Sequence, residues 1–555
     1  MGEVIDSVDP EVLVPGMPPE QFGYQGVRPR REFADGLVID RDQAITLRDG
    51  ITIYADVYRP EGVTGRLPAI LLWSVYGKHG ALKWSLFEGT EVDTDKLSDH
   101  TLLESPDPVA WCPRGYALVA VDPRGAFGSE GDMTIFSKKE GDDIHDTIEW
   151  IAEQPWCTGK VGMAGMSYFA IVQWFAGATR PPHLAALLPY DGVTDVYRDL
   201  VRHGGIPNRT FIDMWNNMLT SWTRNRTESL SKAIDVHPLL DEYWQCKQPD
   251  LERINVPTYV VASWTDHGVH TRGTLEGYRR LGSKVKFLEV HGRKKWSRFY
   301  WDESFKRQLA FFDRFLKDEP NEVDAWPPVR IEVREKFYEG QWRDESEWPL
   351  ARTRYESLFL DAANGAASVE PLGEESSVTY DATDPDQLAS FTYTFDADTE
   401  LTGYAKLRLW VSTDGSDDMD LFVAVQKIDS KGEVVNFPYH TLFNDGQSTH
   451  GWLRVSHREL DPARSTPQQP FLLHERELLL APGEIVPVDI ELWPSSTLYR
   501  AGESLRVLVK GSDIQSYPGE FAAGHPSDRN AGNHIIYTGG RYDSHLLIPV
   551  VPAAS

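Results

Sequence analysis

The chain has 555 residues, 41% of them apolar and 11% aromatic, enough for packed cores in roughly two to four domains, which excludes global disorder. A formal net charge of −28 excludes a nucleic-acid or anionic-membrane partner, since either needs a basic face. Three cysteines, Cys112, Cys157 and Cys246, are too few and too scattered for a disulfide framework or a zinc site, and read as reduced structural thiols.

The first residues, Met1-Gly2-Glu3-Val4-Ile5-Asp6, form neither the basic nor the apolar region of a signal peptide. Acidic neighbours argue against myristoylation of Gly2. No uncharged apolar run approaches the roughly 20 residues of a membrane span, so a cytoplasmic protein with no membrane partner is expected. Residues 1–35, rich in Pro, Gly and charge, read as an irregular arm. A hairpin follows over residues 44–58, turning at Asp49-Gly50. Residues 67–73 and 116–122 are apolar strands, the first ending in Ser74-Val75-Tyr76 and the second in Asp122-Pro123-Arg124-Gly125. The Asp122 to Gly125 segment reads as structural ion pairing. After a helix over about residues 141–152, a short strand runs into Gly165-Met166-Ser167 and a helix-compatible apolar run follows at once. That is the setting of a nucleophile elbow, G-x-S-x-G, with Ala170 in place of the closing glycine.

Strands at 185–190, 257–262 and 285–290 and helices at 271–281 and 305–316 continue the alternation. Nearly uniform apolar strands between helices imply a mostly parallel sheet covered on both faces, over residues 36–190 and 254–325. Residues 191–253, rich in Trp, Arg, Asn and Met, read as a helical cap over the strand ends. Residues 326–555 read as an all-β sandwich or jelly roll. Within it, the run from Asp414 to Asp420 lacks the Gly and Glu positions of an EF-hand loop and reads as a solvated turn.

In an open α/β sheet, functional groups gather beyond the carboxyl ends of the strands. That rule isolates Tyr76, Asp122, Arg124, Ser167, Asp266 and His291, of which Ser167, Asp266 and His291 follow the chain order Ser…Asp…His of α/β-hydrolases. Ser167 would be the nucleophile, His291 the general base and Asp266 the group that orients the imidazole. His267 and His270 are rivals, set aside because both follow Asp266 too closely for a carboxylate on one strand to orient an imidazole from the next. Asp266 also has a purely structural reading, as the N-cap of the helix after it. The Tyr76 hydroxyl and the Tyr168 N–H are the candidate oxyanion donors, although Tyr76 alone also reads as a pocket-lining aromatic. Asp191 and Asp195 are candidates for holding a substrate ammonium, and Trp215 and Trp222 for contacting a bulky apolar group.

The run Asp122-Pro123-Arg124-Gly125-Ala126-Phe127-Gly128-Ser129-Glu130-Gly131 resembles that of the CocE/NonD hydrolases. So do Trp156-Cys157-Thr158-Gly159-Lys160-Val161-Gly162, Gly165-Met166-Ser167-Tyr168, Ser263-Trp264-Thr265-Asp266 and, near the end, Tyr499-Arg500-Ala501-Gly502-Glu503. This group contains the cocaine esterases, α-amino acid ester hydrolases and X-Pro dipeptidyl-peptidase (S15) relatives. The resemblance implies an α/β-hydrolase domain with a helical cap and a C-terminal jelly roll. It also implies a Ser-His-Asp triad at Ser167, Asp266 and His291, an oxyanion hole from Tyr76 and Tyr168, and no cofactor or metal. Three departures stand out. Val75 precedes Tyr76 where the family has proline, Ala170 replaces glycine, and the family's Gly-Pro-Trp-x-His loop reads here as His291-Gly292-Arg293-Lys294-Lys295-Trp296. The expected function is a serine hydrolase that cleaves small-molecule carboxylic esters, or amides, through an acyl-enzyme. The alternatives are an α-amino acid ester hydrolase or aminopeptidase-like amidase, and a non-catalytic binding protein on the same scaffold; a homo-oligomer is compatible with each.

Overall fold

The computed structural model describes residues 9–78, 84–515, 517 and 523–552, so Gly2 and the first part of the N-terminal arm lie outside it. The α/β half is built on strands β1 (Arg30–Ala34), β2 (Leu37–Thr46), β3 (Thr52–Pro60), β4 (Leu67–Trp73), β5 (Ala117–Asp122) and β6 (Cys157–Met166). They are followed by β7 (Leu184–Tyr190), β8 (Thr258–Ser263), β9 (Lys286–His291), β10 (Val329–Lys336) and β11 (Glu339–Glu345). Their spatial order is β1-β2-β3-β5-β4-β6-β7-β8-β9-β10-β11. The strands from β5 to β10 in that order run parallel to their neighbours. Every residue of β4, β5 and β8 is buried, as a parallel sheet covered on both faces requires.

The order reverses around β4: the chain leaves it for β5 on one side and returns to β6 on the other. The crevice beyond the ends of β4 and β6 is therefore where a ligand site is expected. Helix α1 (Lys138–Ala152) packs on α2 (Tyr168–Thr179), which follows β6 directly. Between β7 and β8 the chain is only partly helical. It makes one wide π-helical turn at Tyr197–Val201, then α3 (Arg209–Thr220) and α4 (Leu230–Val236), with two- and three-residue strands between them. Beyond β8 follow α5 (Thr271–Arg280), α6 (Lys295–Tyr300) and α7 (Asp302–Leu316).

The structure moves one boundary. Strands β10 and β11 lie beyond residue 325, yet they extend the α/β sheet, with Leu288 opposite Val329 and Val290 opposite Ile331. Without them β9 would be an apolar edge with unpaired backbone groups. The all-β unit begins after them, with the strand Arg354–Asp361. It is mainly antiparallel, its longest strands Thr399–Asp414 and Val486–Tyr499 lying side by side. Leu358, Phe391, Leu409, Val423, Ile490 and Val507 belong to its separate core. The acidic run is corrected in part: Asp418 and Asp420 are buried, the first accepting from Ser456 Oγ at 2.7 Å and the second paired with Arg454 at 2.7 Å.

The Asp122 segment behaves as expected, with Arg124 paired to Asp143 at 2.7 Å and to Asp49 at 2.8 Å. Asp122 itself accepts from the backbone N–H of Lys78 at 2.9 Å. The Lys78 ammonium is buried against Asp42 at 2.5 Å and Asp56 at 3.0 Å. This cluster fixes the far end of the loop that carries Tyr76.

Candidate active site

Ser167 sits between β6 and α2 at φ 55° and ψ −115°, a conformation that costs an L-residue energy and persists only where its surroundings fix it. Its N–H is shared between the carbonyls of Tyr190 and Asp191, at 3.1 and 3.0 Å, and its carbonyl accepts from Ala170 and Ile171. The turn depends on Gly165, at φ 135°, where a Cβ would lie 2.5 Å from Phe169 Cβ and 3.1 Å from the Glu104 carbonyl oxygen. Ala170 is tolerated because its neighbour across the packing is Gly192, where even an added Cβ would stand 3.3 Å away. As the first residue of α2, Tyr168 has an N–H that no carbonyl within the helix can accept.

His270, not His291, faces the serine. Its Nε2 lies 3.1 Å from Ser167 Oγ and its Nδ1 2.5 Å from Asp266 Oδ2. With Asp266 ionised, Nδ1 carries the proton it donates to the carboxylate, and Nε2 presents a lone pair to the serine hydroxyl. The expectation that Asp266 could not orient a histidine so near in sequence fails because the chain turns at once. Gly268, at φ 90°, folds the segment back until the N–H groups of Val269, His270 and Thr271 all point to the Asp266 carbonyl. Residues four apart then share one side, as on a helix.

His291 is fully buried at the end of β9, its Nδ1 accepting from the Arg293 N–H at 3.2 Å and its Nε2 2.5 Å from the Tyr190 hydroxyl. Both ring nitrogens are thus engaged away from Ser167. From the loop after β9 it is Lys295 that enters the site, 3.1 Å from both Asp266 Oδ2 and His270 Nδ1. A second imidazole comes from the all-β unit: His440 Nδ1 stands 2.7 Å from Asp266 Oδ1.

Burial pushes the Asp266 carboxyl up, but Lys295, then His270 and His440, outweigh it and hold the group well below the usual carboxylate range. Burial first, and the Lys295 charge next, bring His270 down to about 4, against the pull of Asp266. The imidazole is therefore neutral at pH 7 and able to take a proton. Burial also pushes Glu104 up to about 7, against Lys295 and the Trp296 N–H.

The Tyr76 hydroxyl reaches toward Trp215 and Ser167, and burial pushes its pKa well up, so it stays a neutral donor. Tyr168 uses its own hydroxyl elsewhere, donating to Glu140 at 2.7 Å, which leaves the backbone N–H as its contribution. A cavity of about 40 Å³ opens at Ser167, walled by Tyr76, Phe211, Trp215 and Met218 on one side and by Glu104, His270 and His440 on others. Trp222 is absent from that wall; it stacks at 6.1 Å on Phe127 and meets Tyr76 edge-on.

Asp191 and Asp195 also lie elsewhere. Asp191 accepts from the Ser263 N–H at 2.9 Å, and burial, with Asp266 nearby, pushes it up to about 8. Asp195 is paired with Arg198 at 2.7 Å. The four site residues the sequence reading passed over are His270, Lys295, His440 and Glu104. Only His270 carried a local signal, the glycine between it and Asp266.

Residues 49–293 match the X-Pro dipeptidyl-peptidase (S15 family), and residues 321–547 the X-Pro dipeptidyl-peptidase C-terminal non-catalytic domain. A CocE/NonD family hydrolase from Staphylococcus aureus superposes with a TM-score of 0.92 at 41% identity, over 96% of this chain and 98% of that one. Cocaine esterase from a Rhodococcus strain is 25% identical over 91% of this chain and 97% of its own length. An α-amino acid ester hydrolase shares the fold, with a TM-score of 0.71 at 19% identity, over 94% of this chain and 98% of that one. The chain belongs to the CocE/NonD family and is a serine hydrolase.

Proposed function

We propose that the protein cleaves carboxylic esters of small molecules through an acyl-enzyme on Ser167, with His270 as general base and Asp266 as the group that orients it. The observation that carries this reading is the hydrogen-bonded series from Ser167 Oγ to His270 Nε2 at 3.1 Å and from His270 Nδ1 to Asp266 at 2.5 Å. In the first step the serine hydroxyl adds to the ester carbonyl carbon and its proton passes to His270 Nε2. The imidazolium then donates that proton to the departing alkoxide, and water repeats the cycle to release the acid. The Tyr76 hydroxyl and Tyr168 N–H receive the negative charge on the carbonyl oxygen. The segment between β7 and β8 acts as a cap through Phe211, Trp215 and Met218, and the all-β unit, read as a jelly roll, closes the opposite side.

The amino-acid ester or amide alternative needs a carboxylate at the cavity wall. Asp191 and Asp195 do not line it, whereas Glu104 does.

Labelling with a fluorophosphonate, followed by turnover of p-nitrophenyl acyl and aminoacyl esters, tests the reading. Ser167→Ala abolishes labelling, and His270→Ala lowers kcat by at least about 10³-fold. His291→Gln keeps kcat within tenfold of the parent. Loss of activity in His291→Gln with retention in His270→Ala would overturn the base assignment.

A further inference from the structure

The all-β unit does more than cover the catalytic half. Its hairpin strands Phe437–Tyr439 and Phe443–Gly446 carry the intervening residues to the acid loop. There the His440 N–H donates to the Thr265 carbonyl at 2.8 Å, and the Tyr439 hydroxyl donates to the His267 carbonyl at 3.1 Å. From the other side, Lys294 Nζ donates to the Leu442 carbonyl at 3.2 Å. His440 is only 2% exposed and adopts φ 50°, which a non-glycine residue rarely does without a constraint from its surroundings. The ring lies edge-on to Tyr439, with centroids 4.3 Å apart. Nδ1 faces Asp266 Oδ1 at 2.7 Å, so in the neutral imidazole Nδ1 is the nitrogen that carries the proton toward the carboxylate. In that neutral ring Nε2 holds the lone pair; it has no hydrogen-bond partner among the described residues and belongs to a residue in the wall of the Ser167 cavity.

A buried acceptor without a partner destabilises the state that leaves it unpaired. Asp266 faces the other ring nitrogen, and Glu104 shares the same wall. We infer that His440 is a specificity residue, accepting through Nε2 a hydrogen bond from a hydroxyl or N–H of the bound ester. The all-β unit thereby contributes directly to substrate recognition. This rests on the Ser167 reading above and extends it to the substrate: the preferred ester carries a donor close to the scissile carbonyl. An analogue lacking that donor leaves the imidazole nitrogen unpaired in the complex, which is how polar pockets discriminate most strongly.

The test uses the full chain and two pairs of near-isosteric esters. p-Nitrophenyl glycolate against propionate varies the acyl side, and 2-hydroxyethyl acetate against propyl acetate varies the alcohol side. In His440→Phe, the ratio of kcat/KM for donor-bearing over donor-free ester falls at least tenfold in one of the two pairs. A purely structural role would lower both members alike and leave the ratios unchanged. Should His440→Phe fail to fold, judged by its melting curve, His440→Ala is measured instead. Ratios that fall less than tenfold from the parent in both pairs overturn the inference. Fluorophosphonate labelling of the parent at Ser167 is read separately, so failure of the Ser167 reading is distinguished from failure of this one.

Discussion

Burial and the neighbouring Lys295 ammonium bring His270 down to about 4, so the base remains unprotonated well below the pH at which a solvent-exposed histidine would be lost. Protonation of His270 removes the lone pair that accepts the serine proton, so kcat/KM falls as pH drops through that value. The expected acid limb has its midpoint near pH 4, read from a pH–rate profile. Lys295→Met removes a positive charge that disfavours the imidazolium, so the pKa rises and the limb moves to higher pH; a limb that stays in place would show that the ammonium does not tune the base. Asp191 supplies a contrasting case. At about 8 its carboxyl is protonated at neutral pH, and its contact is with Ser263 rather than the cavity. Asp191→Asn keeps a neutral acceptor there, so kcat/KM for acyl and aminoacyl esters stays within about threefold. A selective loss with aminoacyl esters would restore Asp191 as an ammonium site.

The elbow is legible from residues 160–178 because its requirements are local. An apolar strand, a glycine able to take positive φ and a following apolar helix lie within one stretch of sequence. The turn after β8 is local as well, but its outcome depends on how Gly268 folds. That glycine adopts φ 90°, and a Cβ on it would stand 2.9 Å from Ala523 Cβ. Gly268→Ala therefore shifts the turn and moves the His270 ring from its line to Ser167. A displacement of about 1 Å costs of the order of 10²-fold in rate, so fluorophosphonate labelling slows by that order while the melting temperature changes little. The histidine after β9 was misassigned for a related reason. Strand order places His291 at a strand end, but a strand end says nothing about which partners engage the ring. Tyr190 and Arg293 bind both of its nitrogens, and neither contact leaves a mark in the local sequence.

Across the whole molecule, the two halves are joined by more than a linker. Residues 329–345 sit beyond the expected boundary at 325 but complete the α/β sheet, and the 437–446 hairpin completes the wall around Ser167. A chain ending at residue 325 exposes the β9 edge, with Leu288 and Val290 beside unpaired backbone groups, and loses its catalytic cavity. It is expected to aggregate in size-exclusion chromatography and to melt without a cooperative transition. A sharp melt from a monomer would show that the sheet is stable without those strands.

The sequence by itself determined the α/β class, the all-β class of the C-terminal region, the elbow at Ser167 and the acid segment ending at Asp266. Each of these rests on hydrophobic periodicity or on turn chemistry confined to neighbouring residues. Only the tertiary structure decided that His270 faces the serine, that Lys295 and His440 flank the same carboxylate, and that Asp191 and Asp195 lie away from the cavity. Those outcomes depend on charges brought together from β8, the loop after β9 and a hairpin some 170 residues beyond Asp266. A buried carboxylate draws its partners from whatever the fold places beside it, and no spacing along the chain records that choice.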